Sequence, residues 1–159
     1  MERLKRLENI CRPDERYLNR VDIDHSIGAV TPTTIESIYG LVEEIRLNAG
    51  VPEDIQSHFE TARNLALYSW FVYSFNVVAA MQAFASLEMA VKKKTGKRRM
   101  AFKMRLDRAF KGRQLAAGVS LSTVVTKLRN DLAHGSSTMH GQGLSTLSFC
   151  ADLINELYP

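Results

Sequence analysis

Cysteine is nearly missing from this chain: two in 159 residues, Cys11 and Cys150, with neither CxxC spacing nor a nearby histidine cluster. That excludes a disulfide framework and a thiolate metal centre. Cys150 falls in an apolar helical pattern, where a thiol serves as a small buried hydrophobe. Four prolines and nine glycines are also few, and most lie outside the periodic stretches. Internal repeats, low-complexity tracts and strand alternation are lacking, which leaves long helices as the expected elements. The opening Met1-Glu2-Arg3-Leu4-Lys5 carries charge without an apolar core, so it does not read as a secretory signal, and a reducing cytoplasm is the expected setting.

Charge is missing altogether between Asn64 and Leu87. A membrane span needs about twenty predominantly apolar residues. Here Ser69, Ser74, Asn76, Gln82 and Ser86 interrupt the run on all sides of a helix, and each would need a partner in lipid. The stretch therefore reads as part of a buried helical hairpin, with no membrane partner.

What the chain has in quantity is helical periodicity. Apolar residues make up 45% of it and charged residues 24%, a globular composition. Residues 1 to 32 form a highly charged arm with Leu4, Leu7 and Ile10 at loosely helical spacing, expected as a short helix and an irregular segment. From residue 33 to 159 a single helical domain is expected. Thr33 can cap a first helix with Glu36 reaching back to it, Ile35, Ile38, Leu41, Val42 and Ile45 form the stripe, and Gly50 closes it at Asn48 or Ala49. Pro52 restarts a helical stretch running to Lys94, too long for one globular helix, with a break expected near Ser69 to Phe75. Its second half, through Val78, Met81, Phe84, Ala85 and Glu88, is the expected central buried helix. Amphipathic helices follow around Phe102 to Phe110, from Leu121 to a stop at Gly135, and from Leu144 to Tyr158. The fold class expected is all-α, an antiparallel bundle of four to six helices.

The net charge of +4 is unevenly placed. Residues 92 to 113 hold eleven Lys or Arg and one acid, Asp107, whereas the remainder holds ten basic and sixteen acidic residues. Concentrated positive charge attracts polyanions, nucleic acid first. Lys92, Lys93, Lys94, Lys97, Arg98, Arg99 and Lys103 are the candidate phosphate-binding residues. The competing reading is a solvated face, although solvated faces usually mix signs. No stacking platform of aromatics is interleaved with these residues, so base-specific readout of single strands is not supported.

The most informative segment is Leu128-Arg129-Asn130-Asp131-Leu132-Ala133-His134-Gly135-Ser136. It places Arg, a polar residue and His at the end of a well-patterned helix. In this it resembles the HEPN superfamily, whose signature is an Arg, a polar residue and a His near the end of a bundle helix. Ala66 to Tyr73, Ala83 to Glu88 and Leu153 to Leu157 resemble the central and closing helices of one bacterial branch. The likeness covers about residues 33 to 158 and leaves the arm without a counterpart. It implies a metal-independent endoribonuclease working as a homodimer, with Arg129 and His134 as the catalytic pair and Asn130 in support. It also implies a setting in bacterial defence, as a toxin with an antitoxin or nucleotidyltransferase partner. Other relatives are inactive modules binding nucleotide, RNA or protein, and that reading stays open.

The residues themselves suit the chemistry. RNA supplies its own nucleophile, the 2′-hydroxyl, so cleavage needs proton transfer and charge stabilisation, and no cofactor is expected. Histidine is the side chain best poised to move that proton near neutrality, and arginine holds phosphate oxygens as charge builds. Five residues place Arg129 and His134 roughly 140° apart and about 7.5 Å along an ideal helix, so one straight helix cannot aim both at one phosphate. Either His134 lies past the helix end or a second protomer completes the site. Ser122, Thr126, Arg129 and Ala133 form a small or polar strip on which a twin helix could approach. The structural alternative is that His134 complements the helix dipole and Arg129 pairs with an acid on a neighbouring helix. His140, in the glycine-bracketed loop, could help near the site, although a loop histidine alone is a weak signal. His25 and His58 have no ligand-like company, no metal site is visible, and no glycine loop, Ser/Cys arrangement or carboxylate pair suggests another enzyme class.

Overall fold

The computed structural model describes residues 4–24, 26–96, 99–115, 118–134 and 143–159. Six helices of two turns or more carry the fold: α2 (Ile35–Glu44), α3 (Glu53–Tyr68), α4 (Phe75–Thr95), α5 (Phe102–Ala109), α6 (Leu121–Ala133) and α7 (Gly143–Leu157). The arm adds a 3₁₀ turn at Leu7–Asn9, a one-turn α1 (Glu15–Leu18) and two strands, β1 (Val21–Asp24) and β2 (Ala29–Pro32). The chain is thus mostly helical, as expected. No helix among the described residues is long and apolar enough to cross a membrane.

The core is built around α4, which packs on α3 and α7 most extensively and on α5 and α6 at its flanks. Its inner faces supply Ala79, Ala83, Phe84, Leu87 and Val91, meeting Ile55 and Phe59 of α3, Leu106 of α5, Val125 of α6, and Leu147, Cys150 and Ile154 of α7. Cys150 is fully buried, and burial pushes its thiol pKa up. It is a core hydrophobe, as its place in the apolar pattern suggested.

Alanines at the inner positions of α4 let its neighbours approach closely. α3 and α4 run antiparallel: Lys93 pairs with Asp54 at 2.7 Å at one end, and His58 Nδ1 lies 2.8 Å from Ser86 Oγ further along. The turn between them, Ser69 to Ser74, falls where the break was expected. α7 departs from the antiparallel expectation. It runs parallel to α4, its first residue Gly143 lying against Asn76 and the Tyr158 hydroxyl donating to Ala90 O at 3.1 Å. The intervening α5 and α6 make this crossover possible.

Three further expectations are corrected. The arm contains an antiparallel hairpin, with Val21 opposite Pro32 and Ile23 opposite Val30. Its alternation, Val21-Asp22-Ile23-Asp24, spans only four residues, and its apolar side faces solvent rather than a core. The cap of α2 is Thr34 paired reciprocally with Ser37, one residue beyond the Thr33–Glu36 pair expected, because Thr33 Oγ1 instead donates to Asp22 of the hairpin at 2.9 Å. Finally, α2 ends at Glu44, not Asn48 or Ala49. The segment beyond it is drawn onto α7, where Asn155 Oδ1 accepts from Asn48 N at 2.7 Å and Asn155 Nδ2 donates to Arg46 O at 2.9 Å.

Candidate functional site

Helix α6 starts on a Ser120 cap that accepts from Thr123 N, and it buries Leu121, Val125 and Leu132 against the bundle. That anchoring leaves Arg129 and His134 at the surface. Arg129 Nη2 donates to Glu88 Oε2 of α4 at 3.3 Å, and its Nη1 donates to Asn130 Oδ1 at 3.2 Å. Both partners of the ion pair are exposed over more than two-fifths of their side chains. A pair this wet contributes well under about 1 kcal/mol and opens readily. The alternative foreseen for Arg129, an acid on a neighbouring helix, is therefore realised, and Glu88 is that acid.

His134 occupies the helix cap position, with φ −93° and ψ 10°, and its backbone N–H reaches back to Asn130 O. His134 is thus the first residue past α6, one of the two arrangements expected, although its N–H still bonds within the helix. An ideal helical path to that position keeps it roughly 140° around the axis from Arg129. Gly135 and His140 lie outside the described residues, as does His25.

The strip proposed for a twin helix is only half present. Ser122 is buried, and the Thr126 hydroxyl is buried without a hydrogen-bond partner among the described residues. Arg129 and Ala133 alone stand at the surface. Conversely, α4 is not buried all round as expected. Val78 and Met81 are over two-fifths exposed and share a stripe with Ala85, Glu88 and Lys92, at helical spacings of three, four, three and four. An apolar strip on α4 thus leads up to the Glu88 that holds Arg129.

The basic run separates into residues with different tasks. Successive residues point about 100° apart on a helix, so the three exposed lysines ending α4 diverge. Lys93 turns to Asp54, Lys94 lies 4.8 Å from the centre of the Tyr158 ring, and Lys92 follows Glu88 by one turn on the side of Arg129. Arg99 and Lys103 are exposed, whereas Lys97 and Arg98 lie outside the described residues. Two members are structural. Arg105 is buried and donates to Met100 O, Thr95 Oγ1 and Gly96 O, holding the α4–α5 turn in which Gly96 takes a φ of 86°. Arg113 Nη1 pairs with Glu156 Oε2 at 2.6 Å. A charge count along the sequence cannot distinguish a guanidinium that satisfies loop carbonyls from one that waits for phosphate. The partner Glu88 was equally hidden, although its i, i+4 spacing to Lys92 marked them as one face.

Comparison with protein families, curated proteins and solved structures finds no match to this chain.

Proposed function

We propose that the chain is a HEPN-type, metal-independent endoribonuclease in which His134 moves the proton of the RNA 2′-hydroxyl and Arg129 stabilises the scissile phosphate. The carrying observation is the placement of Arg129: solvent-accessible at the end of a well-anchored helix, with its charge held only by the weak pair to Glu88. An incoming phosphate can displace a carboxylate held in so wet a pair, and arginine then offers a two-pronged grip. Asn130 supports the guanidinium through Oδ1. Lys92, one turn from Glu88, extends the positive field beside Arg129, and Lys93, Lys94, Lys97, Arg98, Arg99 and Lys103 are the further candidates for phosphate contacts.

The division of Arg129 and His134 around α6 calls for a homodimer, in which the arginine of one protomer meets the histidine of its partner. The half-exposed Val78 and Met81, about three and two turns along α4 from the Glu88 that holds Arg129, supply an apolar strip suited to that seam. In this scheme the 2′-oxygen bonds to the adjacent phosphorus as its proton passes to His134, the P–O5′ bond breaks, and the departing 5′-oxygen takes a proton from water, giving a 2′,3′-cyclic phosphate and a 5′-hydroxyl. A toxin or defence effector in the cytoplasm, held by an antitoxin or nucleotidyltransferase, is the setting that goes with this reading.

A second reading draws on the same ion pair. With Glu88 retained on Arg129, the chain would be a non-catalytic HEPN module that binds RNA, a nucleotide or a protein. Digestion of structured and unstructured RNA in EDTA, with wild type, Arg129→Ala and His134→Ala, separates the two. Cleavage lost about a hundredfold or more in both variants, with RNA binding retained, establishes catalysis; equal binding and no cleavage in all three establishes the module.

A further inference from the structure

Away from α6, a groove of about 440 Å³ runs between α2 and α7. Its α7 wall carries Leu144, Ser148, Ala151 and Asp152, a stripe that repeats with the helix for more than two turns. Its other wall carries Leu41 and Glu44 of α2 and Ile45 just past its end. Leu41 is 48% exposed, a large apolar side chain left in water beside a second one, Leu144, that is only partly covered. The floor at Ser148 and Ala151 is small, so a backbone can come close. Asn155 closes one end rigidly through its bonds to Asn48 N and Arg46 O.

The charges in the groove are mostly negative: Glu44 and Asp152 stand beside one cation, Arg46, which is exposed and turned towards Glu43. Arg46 is neutralised by Glu43 at 2.9 Å and donates to Glu43 O as well. Neither Glu44 nor Asp152 is in an ion pair among the described residues, and both are exposed. Two carboxylates thus flank the apolar side chains of Leu41, Ile45 and Leu144 in a cleft of mixed lining, on a chain whose net charge is positive. The walls are helical along α7 and as far as Glu44 of α2, and beyond it Arg46 O already accepts from Asn155 Nδ2, so neither wall presents a strand edge. A guest that satisfies its own backbone, a helix, fits where a strand would leave its amides unpaired.

We propose that this groove receives a cationic amphipathic helix from a partner protein, with leucine-like side chains seated between Leu41 and Leu144 and Lys or Arg reaching Glu44 and Asp152. None of the lining residues belongs to α6, so the proposal is independent of the ribonuclease reading.

The test uses a fluorescein-labelled helical peptide of Leu and Lys, its leucines at positions i, i+3, i+4 and i+7, beside a scrambled isomer of the same composition. Anisotropy titrations at physiological salt are expected to show the amphipathic peptide binding at least tenfold more tightly than the isomer. Leu41→Asn and the double variant Glu44→Gln, Asp152→Asn, all at exposed positions, are each expected to weaken that binding fivefold or more while leaving the melting temperature unchanged. Equal affinity for the two peptides, no binding, or binding indifferent to both variants overturns the proposal. So does sedimentation showing a dimer that these variants dissolve, because the groove would then be filled by a second copy of the chain.

Discussion

On its Asn76 side the first turn of α4 is enclosed, and on its Glu88 side the helix is open near its last. Asn76 donates to the Tyr17 hydroxyl at 2.8 Å, Tyr17 lies 2.8 Å from Ser69 Oγ, and Ser69 donates to Ala66 O at 2.7 Å. Every member of this relay is buried, and it ties α1 of the arm to the α3–α4 turn. Three turns later Glu88 and Lys92 reach the surface, one gripping Arg129 loosely and the other on the same face without an ion-pair partner among the described residues. A buried polar relay must be fully paired or it destabilises the fold, so its members are constrained by stability. The open end carries no such constraint, which leaves its charges available for a ligand.

The sharpest way to break this contrast is at Gly143. A β-carbon there would lie 2.6 Å from Asn76 Oδ1 and 2.9 Å from Asn76 O, a clash with backbone that no rotamer relieves. Gly143→Ala is expected to destabilise the protein by about 2–4 kcal/mol in urea unfolding. A loss below about 0.5 kcal/mol would show that this end is not tightly enclosed.

A smaller effect is expected from acid. Asp14 caps α1, receives Arg16 at 2.7 Å and accepts from Tyr73 N at 3.2 Å. The Arg16 side chain, chiefly, holds its carboxyl down at about 2 from an ordinary 3.8, against the opposing effect of burial. Because the folded-state pKa is the lower one, the stabilisation is complete above the unfolded value and is lost as pH falls from about 4 towards 2. It amounts to about 1–2 kcal/mol. Asp14→Asn is expected to flatten that part of the stability–pH curve, and an unchanged curve would contradict the arm's docking through Asp14.

The smallest effect belongs to the open end. Lys92→Ala is expected to weaken RNA binding a few-fold and to lower the slope of log affinity against log salt by about one. Lys93→Ala, whose charge is engaged by Asp54, is expected to do less. Equal losses would mean that the lysines act as one undifferentiated cloud.

Much of the bundle was legible in advance because helical periodicity reports burial directly. The expected start at Leu121, the break after Tyr68 and the buried Cys150 are all present. What was hidden depends on tertiary partners. Arg105 looks like its basic neighbours until the carbonyls of the α4–α5 turn are seen around it. The hairpin escaped notice because its apolar residues face outward, so its four-residue alternation has no burial to serve. At the candidate site, Arg129 and His134 were visible through their motif, and the Glu88 that restrains the arginine emerged only from the packing of α6 on α4.

The central claim concerns a proton taken from the RNA itself, and the ends of the cleaved strands record it. Mass analysis of RNA digested in EDTA is expected to show 2′,3′-cyclic phosphate and 5′-hydroxyl ends, with 2′-O-methylated RNA left intact. Ends carrying 3′-hydroxyl and 5′-phosphate, or cutting of the methylated strand, would contradict the roles given to His134 and Arg129.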